Sequence, residues 1–395
     1  MSKLTPQELL AELEAFSSGS SSLPETDPQL VSKLSHAARK FTLFLEKPAD
    51  VVARVFLSQP VELATIRIAS RLQLFNILKT SNQPMSIREL AIATNADEVL
   101  LARVLRSSAA FGIISEVGDD EYAFKPSFEL FANPVFAEGL DHCAAFLGPS
   151  YNALPGFLSS IGFANPTDPT NSAVQCAFNA KGLGLLDILM ARPDNARGFG
   201  TLMNTWGEGN SLIQDMYPIR ESLVVGFDPE SVMFVDVGGG YGQKAIALKR
   251  AIPDLPGQVI VQDLPGTIDN APKAAGIEYQ AHDFFTEQPV KGARAYYIRQ
   301  CLHNWPKERC VTILSNLAAA MKQGYSKLFV HELIVPRRRA GTWMVTQDFN
   351  MMTLCGTQER TVEQWRELLS EAGLKVAGVY HPEDGVSEGV IEAGL

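Results

Sequence analysis

Three ionisable side chains in the second half of the chain could together remove a proton from a weakly acidic hydroxyl group. His303 follows one short apolar run, Glu332 ends another, and Glu359 lies just before a predicted helix. A histidine with a pKa near 6.5 is mostly neutral at pH 7 and can accept a proton, while a bonded carboxylate fixes its tautomer. The set predicts general-base catalysis. The alternative is a helix-capping histidine with two surface glutamates.

A glycine-rich stretch, VDVGGGYGQ at residues 235–243, predicts a ligand-binding turn between a buried strand and a helix. Gly238 and Gly240 can adopt positive φ, and without Cβ atoms they let a ligand approach the backbone. No Lys-Ser or Lys-Thr pair follows, so the turn is not a P-loop. Dinucleotide-binding enzymes and methyltransferases both carry such a turn, so the turn alone does not decide between them.

Two aspartates further along the chain indicate a nucleoside ligand. Asp263 ends the next apolar run, where a carboxylate can bond to ribose hydroxyls. Asp283 stands beside Phe284, and a carboxylate next to an aromatic ring suits adenine, which offers an amine and a flat apolar face. The alternative role for either aspartate is helix capping.

The chain divides into three zones that must position these residues. In residues 1–130, three helical blocks followed by a hairpin around Gly118 predict a winged helix. Residues 131–220 are mostly helical and rich in aromatic residues, glycine, proline and asparagine, which suits the wall of a substrate pocket. In residues 221–395, short apolar runs alternate with helical stretches, which predicts a parallel α/β sheet.

Composition and charge argue against several partners. The net charge of −10 disfavours nucleic acids and anionic membranes, and the winged helix has no basic face because Arg103 and Arg106 are isolated. No apolar run is long enough to span a membrane. The five cysteines lack CxxC spacing, so we expect reduced thiols, a cytoplasmic location and no metal site.

Two predicted N-terminal helices carry apolar stripes that no neighbouring segment in the sequence covers. They are PQELLAELEAF (6–16) and VSKLSHAARKFTLFL (31–45). Such a stripe on an otherwise polar helix indicates contact with another surface. We therefore expect a homodimer.

Six stretches resemble motifs of the class I S-adenosylmethionine-dependent O-methyltransferases: VDVGGGYGQ, QDLP, HDFF, LHNWP, VHELIVP and QERTVEQW. The resemblance is to the caffeic-acid/flavonoid type, especially its fungal secondary-metabolism branch, and covers roughly residues 60–395. It implies an α/β, Rossmann-like domain that binds S-adenosyl-L-methionine and an N-terminal all-α/winged-helix dimerisation domain. The positions implied for cofactor binding are Gly238, Gly240, Asp263, Leu264, Asp283, Phe284 and Arg299.

The resemblance also implies that His303 is the catalytic base and that Glu332 and Glu359 support it. The candidate acceptor contacts are His142, Asn304, Asp348, Met351 and Met352. Asn304 and Arg299 stand where the family commonly has aspartate and lysine. Core packing is the alternative for the methionines, and a helix-surface position is the alternative for His142.

The leading functional hypothesis is O-methylation of a phenolic or enolic natural product of polyketide or pyridone type. A few members of the fungal branch keep this fold and bind S-adenosylmethionine, yet act as dehydratases or as pericyclases of the Diels–Alder or Alder-ene type, with the cofactor as an unconsumed cation. In that case Arg299 and His142 matter more than the His303 group. A winged-helix regulator that senses S-adenosylmethionine has little support without a basic face. The acceptor and the position of methylation stay open.

Overall fold

The computed structural model describes residues 5–17, 28–208, 212–381 and 388–395. The chain forms two compact units, one up to Phe128 and one from Glu129 onward. The finer division into zones 1–130, 131–220 and 221–395 stays a prediction. Within the described residues, no helix is both long and apolar enough to cross a bilayer.

The first unit is built from helices and a small antiparallel sheet. Its elements are α1 (Pro6–Ser17), α2 (Pro28–Leu45), α3 (Pro48–Val52), a π-helical turn (Ala53–Ser58), α4 (Gln59–Arg71), α5 (Leu74–Ser81), β1 (Met85–Ser86), α6 (Ile87–Thr94), α7 (Glu98–Ala110), β2 (Ser115–Gly118) and β3 (Glu121–Ala123). The strands pair in the order β1-β3-β2, which confirms the predicted hairpin of the winged helix. Ser86 and Asp97 begin α6 and α7 because their side-chain oxygens accept hydrogen bonds from the first backbone N–H groups.

The N-terminal helices expose large apolar side chains. Phe44 near the end of α2 and Phe56 in the π-helical turn are 81% and 73% exposed. Leu10 of α1 and Val61 of α4 are also exposed. Removing apolar surface from water is favourable by about 25 cal/mol per Å². The faces that carry these side chains therefore favour contact with another surface.

The second unit begins with a helical region. A 3₁₀ segment (Pro126–Ala132) precedes α8 (Pro134–His142), a π-helical turn (Cys143–Leu147), α9 (Gly148–Ser160), α10 (Ala173–Phe178), α11 (Leu185–Met190), α12 (Pro193–Glu208), α13 (Ile213–Met216) and a second π-helical turn (Arg220–Val224). Helices α8 and α12 approach closely where Gly198 faces α8. A Cβ atom on Gly198 would lie 2.3 Å from the carbonyl oxygen of Glu138, so only glycine permits this contact.

The chain then forms a seven-stranded sheet in the order β11-β12-β8-β7-β4-β5-β6. Its elements are β4 (Val232–Val237), α14 (Gln243–Ala251), β5 (Gln258–Asp263), α15 (Pro265–Asn270), β6 (Glu278–Ala281), β7 (Ala295–Arg299), a 3₁₀ turn (Leu302–Asn304), α16 (Lys307–Ala320), β8 (Lys327–Glu332), β9 (Ile334–Val335), α17 (Thr342–Cys355), β10 (Arg360–Thr361), α18 (Val362–Glu371), β11 (Lys375–Tyr380) and β12 (Gly389–Gly394). Strands β9 and β10 form a separate parallel pair.

The prediction of a parallel sheet is wrong for the last strand, β12. Strand β12 pairs antiparallel with both β8 and β11. Only residues 381–388 connect β11 to β12, whereas a parallel return needs a crossover of about a dozen residues or more. The short connection therefore produces a hairpin, and the sheet is mixed.

Helices cover both faces of the sheet. On one face, Leu314 of α16 and Trp365 of α18 are buried in the same apolar cluster as Val330 of β8. On the other face, Leu248 of α14 is buried in a cluster with Phe329. Strands β4, β5, β7 and β8 run parallel, so their carboxyl ends lie at one edge. Residues that follow these strands therefore converge there.

Candidate active site

The structure brings the three predicted catalytic residues together at the carboxyl edge of the sheet. His303 lies in the 3₁₀ turn after β7, Glu332 ends β8, and Glu359 precedes β10. The Nδ1 atom of His303 is 2.8 Å from Oε1 of Glu359 and 3.8 Å from Oε2 of Glu332. All three side chains are buried. The alternative of surface glutamates is therefore wrong.

Glu332 also fixes the backbone that carries the histidine. Its Oε1 atom accepts hydrogen bonds from the N–H groups of Cys301 at 3.1 Å and Leu302 at 2.9 Å. Two backbone bonds to one carboxylate oxygen hold the start of the 3₁₀ turn in place. The orientation of the imidazole therefore depends on both glutamates.

The segment around Glu359 is held from two sides. The N–H group of Glu359 donates to Oδ1 of Asp348 on α17 at 2.9 Å. The guanidinium of Arg360 donates to the carbonyl oxygens of Leu302 at 3.2 Å and Trp305 at 2.8 Å. These bonds join the 3₁₀ turn, α17 and the start of α18 around the imidazole.

The buried carboxylates change the protonation of the group. Burial lowers the pKa of His303, but the negative charges of Glu359 and Glu332 outweigh burial and raise the pKa to about 9. Burial raises the pKa of Glu332 to about 7, against the opposing effect of the imidazole. The expectation of a mostly neutral histidine at pH 7 therefore does not hold in this environment. A nearby cation would lower the pKa of His303, because it disfavours the imidazolium form.

The glycine turn lies at the same edge, after β4. Gly238, Gly240 and Gly242 have φ values of 69°, 59° and 84°, which favour glycine. A Cβ atom on Gly240 would have its nearest neighbour, Oε1 of Gln243, 3.9 Å away, so the backbone at this point of the turn is not crowded. The N–H group of Gly240 donates to Oδ2 of Asp263 at 2.9 Å, and the N–H group of Leu264 donates to Oδ1 at 2.8 Å.

Asp236, within β4, is a further acidic residue of this region that the sequence analysis did not single out. It is 2% exposed, and its Oδ2 atom has no hydrogen-bond partner among the described residues. Burial raises its pKa to about 7. A Cβ atom on Gly239 would lie 2.6 Å from its Cγ atom. The available signal was an acid inside an otherwise apolar strand.

The loop after β6 brings an aromatic ring beside the turn. A Cβ atom on Gly238 would lie 3.4 Å from the ring of Phe284, so this ring borders the glycine turn. Its contact with adenine stays a prediction. Asp283 lies two residues beyond β6. Its Oδ1 atom accepts the N–H group of Phe285 at 2.9 Å within a turn. No described helix begins there, so the helix-capping alternative is wrong for Asp283.

A reciprocal pair of glutamines joins this loop to β5. Gln262 and Gln288 are fully buried, and each amide donates to the other at 2.8 Å. The carbonyl oxygen of Gln262 also accepts the N–H group of Gly239 at 3.0 Å. Gln262 therefore links the glycine turn to the loop that carries Asp283 and Phe284.

We expect Gln288→Leu to weaken the binding of S-adenosylhomocysteine about tenfold, because an unpaired buried amide costs about 1–3 kcal/mol and the loop loses its anchor. Isothermal titration calorimetry checks this. The control is Gln258→Leu, an exposed glutamine at the other end of β5 that bonds to Glu278. Equal affinity in both variants would contradict the anchoring role.

Comparison with known proteins decides the family. Residues 210–375 match the O-methyltransferase domain, and residues 56–130 match the O-methyltransferase dimerisation domain. The chain is 36% identical over 327 residues to demethylsterigmatocystin 6-O-methyltransferase of Aspergillus parasiticus, with 83% of each chain covered. The chain belongs to the O-methyltransferase family.

Two solved structures are similar to this methyltransferase. LepI in complex with S-adenosylmethionine has a TM-score of 0.90 at 30% identity and covers 99% of this chain and 100% of its own. A structure described as a pericyclic reaction enzyme has a TM-score of 0.88 at 30% identity and covers 98% of this chain and 100% of its own. S-adenosylmethionine is the cofactor of the enzyme.

Arg299 of the methyltransferase lies at the end of β7 in a bidentate ion pair. Its Nε and Nη2 atoms are each 2.7 Å from an oxygen of Glu388. Glu388 is 3.2 Å from Nε2 of His331, whose Nδ1 bonds to the hydroxyl of Tyr297 at 2.8 Å. Burial and the charge of Arg299 lower the pKa of His331 far below its usual value. No local sequence pattern indicates Glu388, because its partner Arg299 lies 89 residues away in the chain.

His142 is an interior residue, so the alternative of a helix-surface position is wrong. It is 2% exposed and stacks on Phe146 with ring centroids 5.0 Å apart. Phe199 meets it edge to face at 5.8 Å. Burial lowers its pKa, so the imidazole is neutral at pH 7. A role in substrate binding stays a prediction.

The remaining predicted acceptor contacts lie on or beside α17. Asp348 reaches the catalytic group through Glu359. Met351 and Met352 are half-buried, and Met352 packs against the apolar cluster around Leu154. Asn304 has its Oδ1 atom 4.0 Å from the sulfur of Cys355. Three of the five candidate acceptor contacts, Asp348, Met351 and Met352, therefore belong to α17. A fourth, Asn304, lies near the end of this helix.

Proposed function

We propose that this enzyme transfers a methyl group from S-adenosylmethionine to a phenolic or enolic hydroxyl of a polyketide- or pyridone-type natural product, with His303 as the general base. The carrying observation is the buried hydrogen bond of 2.8 Å between Nδ1 of His303 and Glu359. This bond directs Nε2 away from the carboxylates, where it can accept a proton. The named O-methyltransferases among its relatives support the reaction class.

The residues at the glycine turn fit the cofactor. A ligand can approach the uncrowded backbone at Gly240, and buried Asp236 has a carboxylate oxygen with no hydrogen-bond partner among the described residues. Gly238 and Gly240 would border the cofactor, Asp263 would hold the ribose, and Asp283 with Phe284 would frame the adenine. Bound S-adenosylmethionine supplies a methyl group on a positively charged sulfur.

The work left to the protein is alignment and proton removal. A phenol with a pKa near 10 is only about 0.1% ionised at neutral pH. His303 would take the hydroxyl proton on Nε2, and Glu359 and Glu332 would stabilise the resulting imidazolium. The same carboxylates raise the pKa of His303 to about 9, so the proton stays on the histidine after transfer.

The test of the reaction class uses purified enzyme, S-adenosylmethionine and extracts that contain polyketide or pyridone intermediates. S-adenosylhomocysteine and products are followed by mass spectrometry. Equal formation of S-adenosylhomocysteine and of a product heavier by one CH₂ supports methyl transfer. Substrate turnover without S-adenosylhomocysteine would contradict it.

The second candidate is a pericyclase or dehydratase that binds S-adenosylmethionine without consuming it. The observation that favours it is the likeness to the structure described as a pericyclic reaction enzyme. Its expected substrate contacts are Arg299 and His142. Arg299 forms an ion pair with Glu388, and His142 stacks on Phe146. Each side chain would have to bind the substrate while keeping this contact. Isomerisation or loss of water without S-adenosylhomocysteine formation supports this candidate.

We also propose that the enzyme is a homodimer joined through its N-terminal helices. The dimerisation domain match at residues 56–130 and the exposed Phe44 and Phe56 support this. We expect light scattering at micromolar concentration to give twice the chain mass. The variant Phe44→Glu with Phe56→Glu should be monomeric, while Val225→Glu, an exposed control outside the matched dimerisation domain, should stay dimeric. A monomeric wild type would contradict the proposal. The absence of nucleic-acid and membrane partners and the cytoplasmic location stay predictions.

A further inference from the structure

Helix α17 carries a buried series of polar side chains that the proposed mechanism does not use. The hydroxyl of Tyr151 on α9 donates to Oδ1 of Asn350, and Nδ2 of Asn350 donates to Oε1 of Gln347 at 3.2 Å. Gln347 and Asn350 are 9% and 5% exposed. Burial raises the pKa of Tyr151 to about 12, so its hydroxyl stays protonated and donates.

This series has a direction and ends in a donor. Asn350 accepts with its oxygen, so its amide nitrogen faces Gln347. Gln347 in turn accepts with its oxygen, so its Nε2 group is left to donate. That nitrogen is buried and has no hydrogen-bond partner among the described residues. Buried polar groups are nearly always bonded, so this donor is available to a ligand.

Gln347 lies on the part of α17 that borders the catalytic group. Its neighbour Asp348 accepts the N–H group of Glu359 at 2.9 Å, and Glu359 bonds to His303. The half-buried Met351 follows one turn later on the same helix. A flat ligand whose hydroxyl meets His303 would therefore lie along α17.

The chemistry of the surroundings selects a neutral oxygen acceptor. The hydrogen-bonded series contains one phenol and two amides, which carry no charge. The nearby carboxylates of Asp348 and Glu359 disfavour an anion, and a buried anion would need a charged partner. A carbonyl oxygen meets these conditions, since it accepts a hydrogen bond without adding charge.

We propose that Gln347 determines acceptor specificity by donating a hydrogen bond to a carbonyl oxygen, so that the enzyme selects hydroxylated aromatic ketones. This inference rests on the proposed function, because it assigns the acceptor of the same site. Tyr151 and Asn350 are positioning residues that orient the amide of Gln347.

The test compares ketones with partners that lack only the carbonyl. Hydroxyfluorenone is paired with hydroxyfluorene, and hydroxyxanthone with hydroxyxanthene, with the hydroxyl on the same carbon. Binding is measured by titration calorimetry in the presence of S-adenosylhomocysteine. We expect at least one ketone to bind wild type about tenfold more tightly than its partner, and Gln347→Leu to abolish the difference. Affinity for S-adenosylhomocysteine should not change, which shows that the variant is folded.

Thr353→Val is the matched control, because Thr353 is also buried on α17 and its hydroxyl also has no partner among the described residues. It should keep the preference. Equal binding within every pair, failure of every ketone to bind, or a preference that survives Gln347→Leu overturns the proposal. Methyl transfer is scored separately. If the enzyme prefers ketones but does not methylate them, only the proposed function is contradicted. If it methylates acceptors without preferring ketones, only the role of Gln347 is contradicted.

Discussion

Substitution of His303 by asparagine is expected to lower kcat for methyl transfer by about 10²–10⁴-fold, the range that a positioned general base contributes. The loss has a physical cause in the site, since Nε2 of His303 is the proposed proton acceptor and Glu359 holds its Nδ1 at 2.8 Å. The measurement is the initial rate of S-adenosylhomocysteine formation at saturating cofactor and acceptor.

Two controls separate catalysis from folding. The affinity of His303→Asn for S-adenosylhomocysteine, measured by titration calorimetry, should match that of wild type, because the glycine turn is not altered. His381→Asn changes an exposed histidine after β11 and should leave the rate unchanged. A rate in His303→Asn within tenfold of wild type would show that another group removes the proton.

The second large effect is expected in the pH dependence of kcat/KM. A general base works in its deprotonated form, so the rate rises as pH increases through the pKa of His303. That pKa is about 9 in the site without cofactor, and the positive charge of bound S-adenosylmethionine lowers it. The wild-type profile should therefore rise with pH to an inflection no higher than about 9. Glu359→Gln removes the carboxylate that raises this pKa most. Its inflection should therefore move to lower pH, and its plateau should fall because the imidazole loses its orienting bond.

The profile is measured with an acceptor whose hydroxyl pKa lies above about 10, the usual value for a phenol. Ionisation of the acceptor then occurs above the pH range in which His303 titrates. Glu363→Gln is the matched control, because it removes one negative charge from an exposed residue in the first turn of α18. Its profile should follow that of wild type. An inflection that stays in place in Glu359→Gln would mean that the observed step is not the titration of His303.

Local patterns in the sequence were enough to predict most of the elements. The alternation of apolar runs with helical stretches predicted the strands and helices after residue 221, and Thr361 with Gln364 caps α18 through side chain and backbone. The glycine turn after β4 was predicted because its conformation depends on residues adjacent in the chain. The gathering of His303, Glu332 and Glu359 followed from their places after strands or before a helix, since such places converge in an α/β fold.

Other features of the site could not be predicted, because they depend on contacts between segments that are far apart in the sequence. The ion pair of Arg299 with Glu388 joins the end of β7 to the start of β12, and it required the hairpin that the prediction of a parallel sheet had not included. The pKa of His303 depends on burial and on two carboxylates from other elements. The orientation of the Gln347 amide, whose nitrogen has no partner among the described residues, depends on Asn350 and on Tyr151 of α9. Sequence periodicity carries information over a few residues, whereas these contacts and charges arise only when packing brings remote side chains within bonding distance and excludes water.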